Sequence, residues 1–180
     1  PVSALLHAVA VVKAGVFTVL KVIVYIFGID FLSATGASTW LIWVASFTLL
    51  VSSLIALSKD NLKARLAYST VSQLSYIVLA AALATKLSIL GAGLHIATHA
   101  LGKITLFMCA GAIYVATRKT EISDMDGLGR LMPFTFIAFA IGAFSIIGLP
   151  PFAGVWSKWY MALGAANLEL FLVIAVYMVS

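Results

Sequence analysis

The sequence predicts an all-α protein, a polytopic transmembrane helix bundle with one broken helix. Three observations predict it. Of the 180 residues, 63% are hydrophobic and only 9% charged, where soluble domains carry about 25% charged residues; mean hydropathy is +1.15. The apolar residues gather into about six long runs parted by short polar loops, and a membrane span needs about 20 apolar residues in a row. The fifth run is interrupted by Pro150-Pro151.

The runs cover residues 3–27, 38–57, 65–85, 87–117, 131–165 and 168–180, and make one transmembrane domain over 1–180. Each of the first four fits a single helix. The fifth is too long for one straight span. Pro150 and Pro151 lack N–H groups, and their rings clash with the carbonyls of Ile146 and Ile147. Two half-helices joined by unwound backbone near the bilayer midplane are therefore expected. Such a break is tolerated only where it faces protein or a water-filled cavity, and discontinuous helices mark ion sites in transporters. The chain opens on Pro1 with neither methionine nor a signal peptide, and it closes at Ser180 inside an apolar run. A piece of a longer polytopic protein is the expectation.

Orientation follows from the short loops. Loop 58–65 carries Lys59, Lys63 and Arg65, and loop 118–130 carries Arg118, Lys119 and Arg130. Loop 28–37 carries no basic residue, and the turn between the third and fourth runs only Lys86. The positive-inside rule counts lysine and arginine alone, so the acids of 118–130 leave it intact. Both basic loops are expected to be cytoplasmic, in a multi-pass protein of the cell (inner) membrane.

Composition excludes several chemistries. The net charge of +5 is scattered, with no basic block to meet a nucleic acid. The single cysteine, Cys109, forbids an intrachain disulfide and argues against an iron–sulfur cluster or a cysteine-type zinc site. There is no phosphate loop, dinucleotide fingerprint or nucleophile elbow. No cofactor, no metal and no catalytic redox site are expected in this chain.

What stands out is three lysines at bilayer depth: Lys13, Lys103 and Lys158. A lysine at the centre of a membrane helix costs roughly 2.5–3.5 kcal/mol on insertion scales, and an ionisable residue there is a functional hypothesis by default. His95, His99 and Lys103 follow at intervals of four, on one helical face. At 1.5 Å per residue the row covers about 12 Å of depth. Such groups, separated by one or two waters, can pass protons along the membrane. Two other readings stand beside this one. The histidines can hydrogen-bond neighbouring helices, or form a His-x-x-x-His metal pair, although no Asp or Glu lies in that run to complete it.

Lys13 lies about ten residues into its run, too deep to snorkel, whereas Lys21 can reach outward. His7 reads equally as a proton entrance or a helix contact. Lys158 follows the proline break by seven residues, near carbonyls freed at the first half-helix and the positive dipole end of the second. Alternatively it is an interfacial anchor among Trp156, Trp159 and Tyr160. Ser69, Ser72, Gln73, Ser75 and Tyr76 in the third run can line water, though such residues more often bond their own backbone or a neighbouring helix.

The stretches SALLHAVAVVKAG, KARLAYSTVSQLSYI, HIATHALGKITLFMCAGAI and GLPPFAGVWSKWYMALGA together resemble the antiporter-like membrane subunits. These are subunits L, M and N of respiratory complex I (NADH-quinone oxidoreductase) and the large subunits of Mrp-type monovalent cation/proton antiporters, with related membrane hydrogenases. The resemblance covers nearly the whole chain. It implies an inverted-repeat transporter fold, with this chain holding almost all of the second five-helix repeat and Pro150-Pro151 at its broken helix.

The resemblance also implies roles in proton transfer. Lys13 matches the lysine that links two half-channels, Lys103 the central lysine of a buried polar axis, His95 and His99 the histidines before it, and Lys158 the charged residue on the exit side. The family's glutamate–lysine pair would lie upstream of Pro1. A lysine at position 158 disfavours the M type, and HAVAVVKAGVF and SKWYMALGA look closest to the D-type large subunit of Mrp antiporters. Implied partners are homologous antiporter-like subunits and small membrane subunits of a hetero-oligomeric complex. Protons are the implied cargo, with Na+ or K+ as further candidates. The rival expectations are a proton-pumping subunit of NADH-quinone oxidoreductase or a membrane hydrogenase, a non-transporting scaffold whose lysines pair with acids of partners, and an intramembrane metalloenzyme using His95 and His99.

Overall fold

A computed structural model describes residues 11–180. His7 lies outside them. α1 (Val11–Lys21) continues in a wider i→i+5 turn over Val22–Phe27. The chain then bends by 80° at Gly28 into a short helix, α2 (Ile29–Thr35). The sequence expected only a loop at 28–37; the apolar stretch on either side of Asp30 is long enough for two helical turns. α3 (Thr39–Ser58) and α4 (Leu62–Ala82) form an antiparallel pair, followed by α5 (Lys86–Thr117). A short 3-10 turn (Ile122–Met125) and α6 (Leu128–Leu131) lead to α7 (Pro133–Ile147), α8 (Gly154–Ala166) and α9 (Phe171–Val179).

The helix boundaries follow from local chemistry. The Asn61 side chain accepts the Ala64 N–H at 3.1 Å and caps α4. Thr85 and Ser88 cap α5 reciprocally, side chain to backbone in both directions. Pro133 opens α7, where its missing N–H has no helical partner to lose. α7 ends at Ile147, before the prolines, and is closed by Gly148, whose φ of 86° is left-handed and open to glycine at little cost. The Gly148 and Leu149 amides both donate to the Phe144 carbonyl, at 3.0 and 3.1 Å.

α3 and α5 are each long and apolar enough to cross a bilayer, and α1 with α2 makes a bent third candidate. At 32 residues α5 is about 48 Å long, more than the roughly 30 Å of hydrocarbon, so it projects beyond it. α7, with 15 residues, covers about 22 Å and is a partial span, as a half-helix should be. Large apolar side chains such as Trp40, Phe47, Leu101 and Phe134 face outward, a surface suited to lipid or to other membrane helices.

Two apolar clusters hold the bundle. One joins α1, α3, α9 and the C-terminal half of α4, where Ile77, Leu79, Ala80 and Ala81 are wholly buried. The other gathers Leu62, Leu66, Leu106, Phe107, Ile113 and Ile146 at the opposite end. At that end the two basic loops are stapled together. Leu62 N donates to Thr120 O at 3.0 Å, Ile122 N to Asp60 O at 3.0 Å, and the Asn61 amide to Glu121 Oε1 at 3.0 Å. Both basic loops thus lie on one side of the bundle.

Candidate functional site

The polar row His95–His99–Lys103 occupies the gap between the two apolar clusters. All three side chains are buried, Lys103 completely. The Lys103 Nζ reaches α4, donating to the Leu66 carbonyl at 3.0 Å and to Ser69 Oγ at 2.9 Å. The chain's acids are Asp30, Asp60, Glu121, Asp124, Asp126 and Glu169, and none lies within α1, α3–α5 or α7–α9. Lys103 is therefore solvated by neutral oxygens. It is also one wall of a cavity of about 670 Å³, bounded by Ser69, Ser72, Gln73, Leu106, Phe139 and Ile146, with Arg65 toward the stapled loops.

The polar residues of α4 divide between the two readings their sequence allowed. Ser75 Oγ donates to its own helix at Val71 O, 3.0 Å. Ser69 holds Lys103, Ser72 and Gln73 line the cavity, and Tyr76 Oη donates to the Tyr177 carbonyl of α9 at 2.8 Å.

A run of aromatic rings crosses the bundle beside the row. Tyr177 stacks on Tyr76 with centroids 4.9 Å apart, Tyr76 meets His95 at 5.8 Å, and His95 stacks on His99 at 5.7 Å. His95 Nδ1 lies 3.0 Å from Ser157 Oγ on α8, so one histidine does bond a neighbouring helix. His95 Nε2 and both nitrogens of His99 are buried without a hydrogen-bond partner among the described residues. No further His, Cys, Asp or Glu there completes a metal cluster with the pair.

Lys158 is partly buried on α8. It turns back across the helix break, its Nζ 3.3 Å from the Ile147 carbonyl and 5.0 Å from the centroid of the Tyr76 ring. Trp156 and Trp159 point outward, 60% and 57% exposed. Lys158 turns away from these two rings, toward Ile147 and Tyr76. The break itself is tightly made: a Cβ on Gly154 would overlap the Ser145 carbonyl oxygen. Lys13, on α1, is buried where that helix packs against α4 and α5.

The structure thus brings His95, His99, Lys103 and Lys158 around the α4–α5–α8 contact. The sequence missed Ser157 and Tyr177, which enter this group only through contacts 62 and 101 residues apart. A lone serine beside Lys158 in an aromatic run gave no signal of its own.

The family model described as NADH:quinone oxidoreductase/Mrp antiporter, transmembrane, matches residues 1–180. The chain belongs to this family. Among curated relatives, NADH-quinone oxidoreductase subunit N of Desulforudis audaxviator is 41% identical over 138 residues, 77% of this chain and 28% of the relative. NAD(P)H-quinone oxidoreductase chain 5 of a Synechocystis species is 34% identical over 204 residues, all of this chain and 29% of the relative. The chain therefore spans less than a third of the length of these relatives. Among solved structures, the archaeal membrane-bound sulfane sulfur reductase superposes with a TM-score of 0.81 at 31% identity, over 99% of this chain and 38% of that one. The Mrp complex of a Dietzia species superposes with a TM-score of 0.84 at 26% identity, over 93% of this chain and 30% of that one. The all-α membrane bundle expected from the sequence is the fold of these family members.

Proposed function

We propose that this chain forms a proton-conducting part of a membrane subunit in the complex I and Mrp family. Protons enter by a hydrated half-channel, pass along Lys13, Lys103, His95 and His99, and leave near Lys158. His7 reads as a residue of the entrance. The observation that carries this is the wholly buried Lys103 ammonium, held by neutral oxygens in the same row as histidine nitrogens with no partner among the described residues. A structural lysine at this depth would be matched to an anion, because an unpaired buried ion is expensive. Buried polar groups without protein partners are generally satisfied by ordered water, and water between such groups is the medium for proton transfer.

The chain chemistry assigns no redox step to these residues. A quinone-coupled or cation-coupled driving force comes from partner subunits of a hetero-oligomeric complex in the cell membrane. The two basic loops face the cytoplasm in this reading, supported by their shared side of the bundle. Two finer assignments follow. An Mrp-type cation:proton antiporter subunit of the D type is supported by HAVAVVKAGVF and SKWYMALGA and by the likeness to the Mrp complex. A quinone oxidoreductase subunit is supported by the names and higher identities of the two relatives above. Proton movement that depends on Na+ or K+ selects the first, and movement that depends on quinone reduction selects the second.

The deciding experiment is Lys103→Ala in the full-length protein within its complex, reconstituted in liposomes. The expected result is intact assembly with proton translocation lowered at least about 10²-fold, the usual loss when a proton-transfer group is removed. Lost assembly would instead support a scaffold whose lysines serve packing.

A further inference from the structure

We infer that Ser157 is a positioning residue that holds the neutral His95 ring with its proton on Nδ1, so that His95 exchanges protons through Nε2 alone. The ring geometry is independent of function; the transport consequence rests on the proton-conducting reading above. Ser157 and His95 are both buried, with Oγ 3.0 Å from Nδ1. Ser157 Oγ also lies 2.9 Å from the Gly154 carbonyl oxygen, one turn back on α8. A carbonyl oxygen only accepts, and a serine hydroxyl carries a single hydrogen. If that hydrogen goes to Gly154 O, the 3.0 Å contact with His95 is an Nδ1–H donated to Oγ. The reverse arrangement points the serine hydrogen at Nδ1. It forfeits the Gly154 bond. One tautomer makes two hydrogen bonds at Ser157 Oγ, the other only one, and the extra bond favours the first.

Small residues bring the two helices close enough for this contact. A Cβ on Gly91 of α5 would crowd the Ser157 carbonyl at 2.9 Å and the Met161 side chain at 2.7 Å, and one on Gly164 would meet Ser88 at 2.7 Å. His95 lies one turn from Gly91 on α5, at the height of Ser157.

The consequence is a ring with one open port. An arriving proton adds to the lone pair of Nε2 and makes the imidazolium. The Nδ1 proton cannot continue through Ser157, because the serine hydrogen would then have to move onto a peptide carbonyl, which is far too weak a base. The proton therefore leaves by the nitrogen at which it entered. The outer partner of the ring, on the Nε2 side, decides the direction of transfer.

The test is solid-state NMR on the full-length protein in its complex with 15N-labelled histidine, the His95 signals being assigned by their loss in His95→Gln. The unmodified protein is expected to show a neutral His95 with the proton on Nδ1. Ser157→Ala is expected to move the ring to the Nε2–H tautomer or a mixture and to slow proton translocation by about tenfold, the scale seen when an orienting partner is removed. Ser157→Thr, which keeps the hydroxyl, should retain the Nδ1–H signal. A neutral Nε2–H ring in the unmodified protein overturns the inference without any variant having to fold, as does an unaltered tautomer in Ser157→Ala. Full transport by Lys103→Ala would overturn the proposed function while leaving the tautomer result standing.

Discussion

Lys103 and Lys158 bear the same ammonium group but are held by different means. Lys103 sits on an unbroken helix and is solvated from the side, by a carbonyl and a hydroxyl of the neighbouring α4. Lys158 sits just past a helix break and is solvated along the chain, by the Ile147 carbonyl at the end of α7 and the face of Tyr76. The first arrangement needs a polar residue on a partner helix. The second needs only the interruption, since the last carbonyls of any helix lack an intrahelical donor. A broken helix is thus a way of supplying oxygen to a cation where no polar side chain is available.

If the break supplies that oxygen, closing the space around it should do the most damage. Gly154→Ala drives a methyl into the Ser145 carbonyl and should lower stability by about 3 kcal/mol, the upper end for overpacking, read as a fall in thermal midpoint in detergent. Gly111→Ala on unbroken α5, where a Cβ meets nothing within 4 Å, should instead raise stability by up to about 1 kcal/mol.

The fastening of Lys103 is tested next. Ser69→Ala removes one of its two oxygens and should cost about 1.5 kcal/mol, the lower end for a hydrogen bond to a charged group; chemical denaturation measures it. An unchanged midpoint would mean that α4 does not solvate the amine. On the Lys158 side, Tyr76→Phe keeps the ring under the ammonium but loses the bond to Tyr177 O, and about 1 kcal/mol should be lost.

The smallest effect lies at the stapled loops, remote from both lysines. The Ser123 hydroxyl and amide donate to the Asp60 carboxylate at 2.6 and 3.1 Å and hold its pKa below the ordinary aspartate value. The folded value is the lower one. This contribution is therefore complete above the ordinary aspartate pKa and lost as pH falls through the lowered folded value. Asp60 is solvent-exposed, so screening keeps the effect small. Asp60→Asn should lower the neutral plateau of a stability–pH curve slightly and flatten its acid limb, the two proteins converging at low pH.

Much of this architecture was legible before the fold. The spacing of four between His95, His99 and Lys103 puts them on one face whatever surrounds the helix, and Pro150-Pro151 forces an interruption by covalent geometry alone. The break covers residues 148–153 and holds both prolines; α7 stops just before them, at Ile147, where the left-handed Gly148 closes it. The turn of Lys158 inward was not legible, since Trp156 and Trp159 advertise an interface and one helical face cannot be told from another without its neighbours. Ser157 was invisible for a related reason. Its partner is 62 residues away on another helix, and only packing decides that the two meet. The interruption at Gly28 was legible as the end of the first run, but the short helix α2 after it was not, since residues 29–35 are too few to show a helical period.

The central claim is that Lys103 gives up and takes back a proton, not that it supplies a fixed positive charge. Replacing it by arginine separates these directly, because a guanidinium keeps its proton throughout the accessible pH range. Proton translocation should be measured for Lys103→Arg in the assembled, full-length complex in liposomes. The account predicts an assembled complex that does not translocate; translocation at the unmodified rate would contradict it.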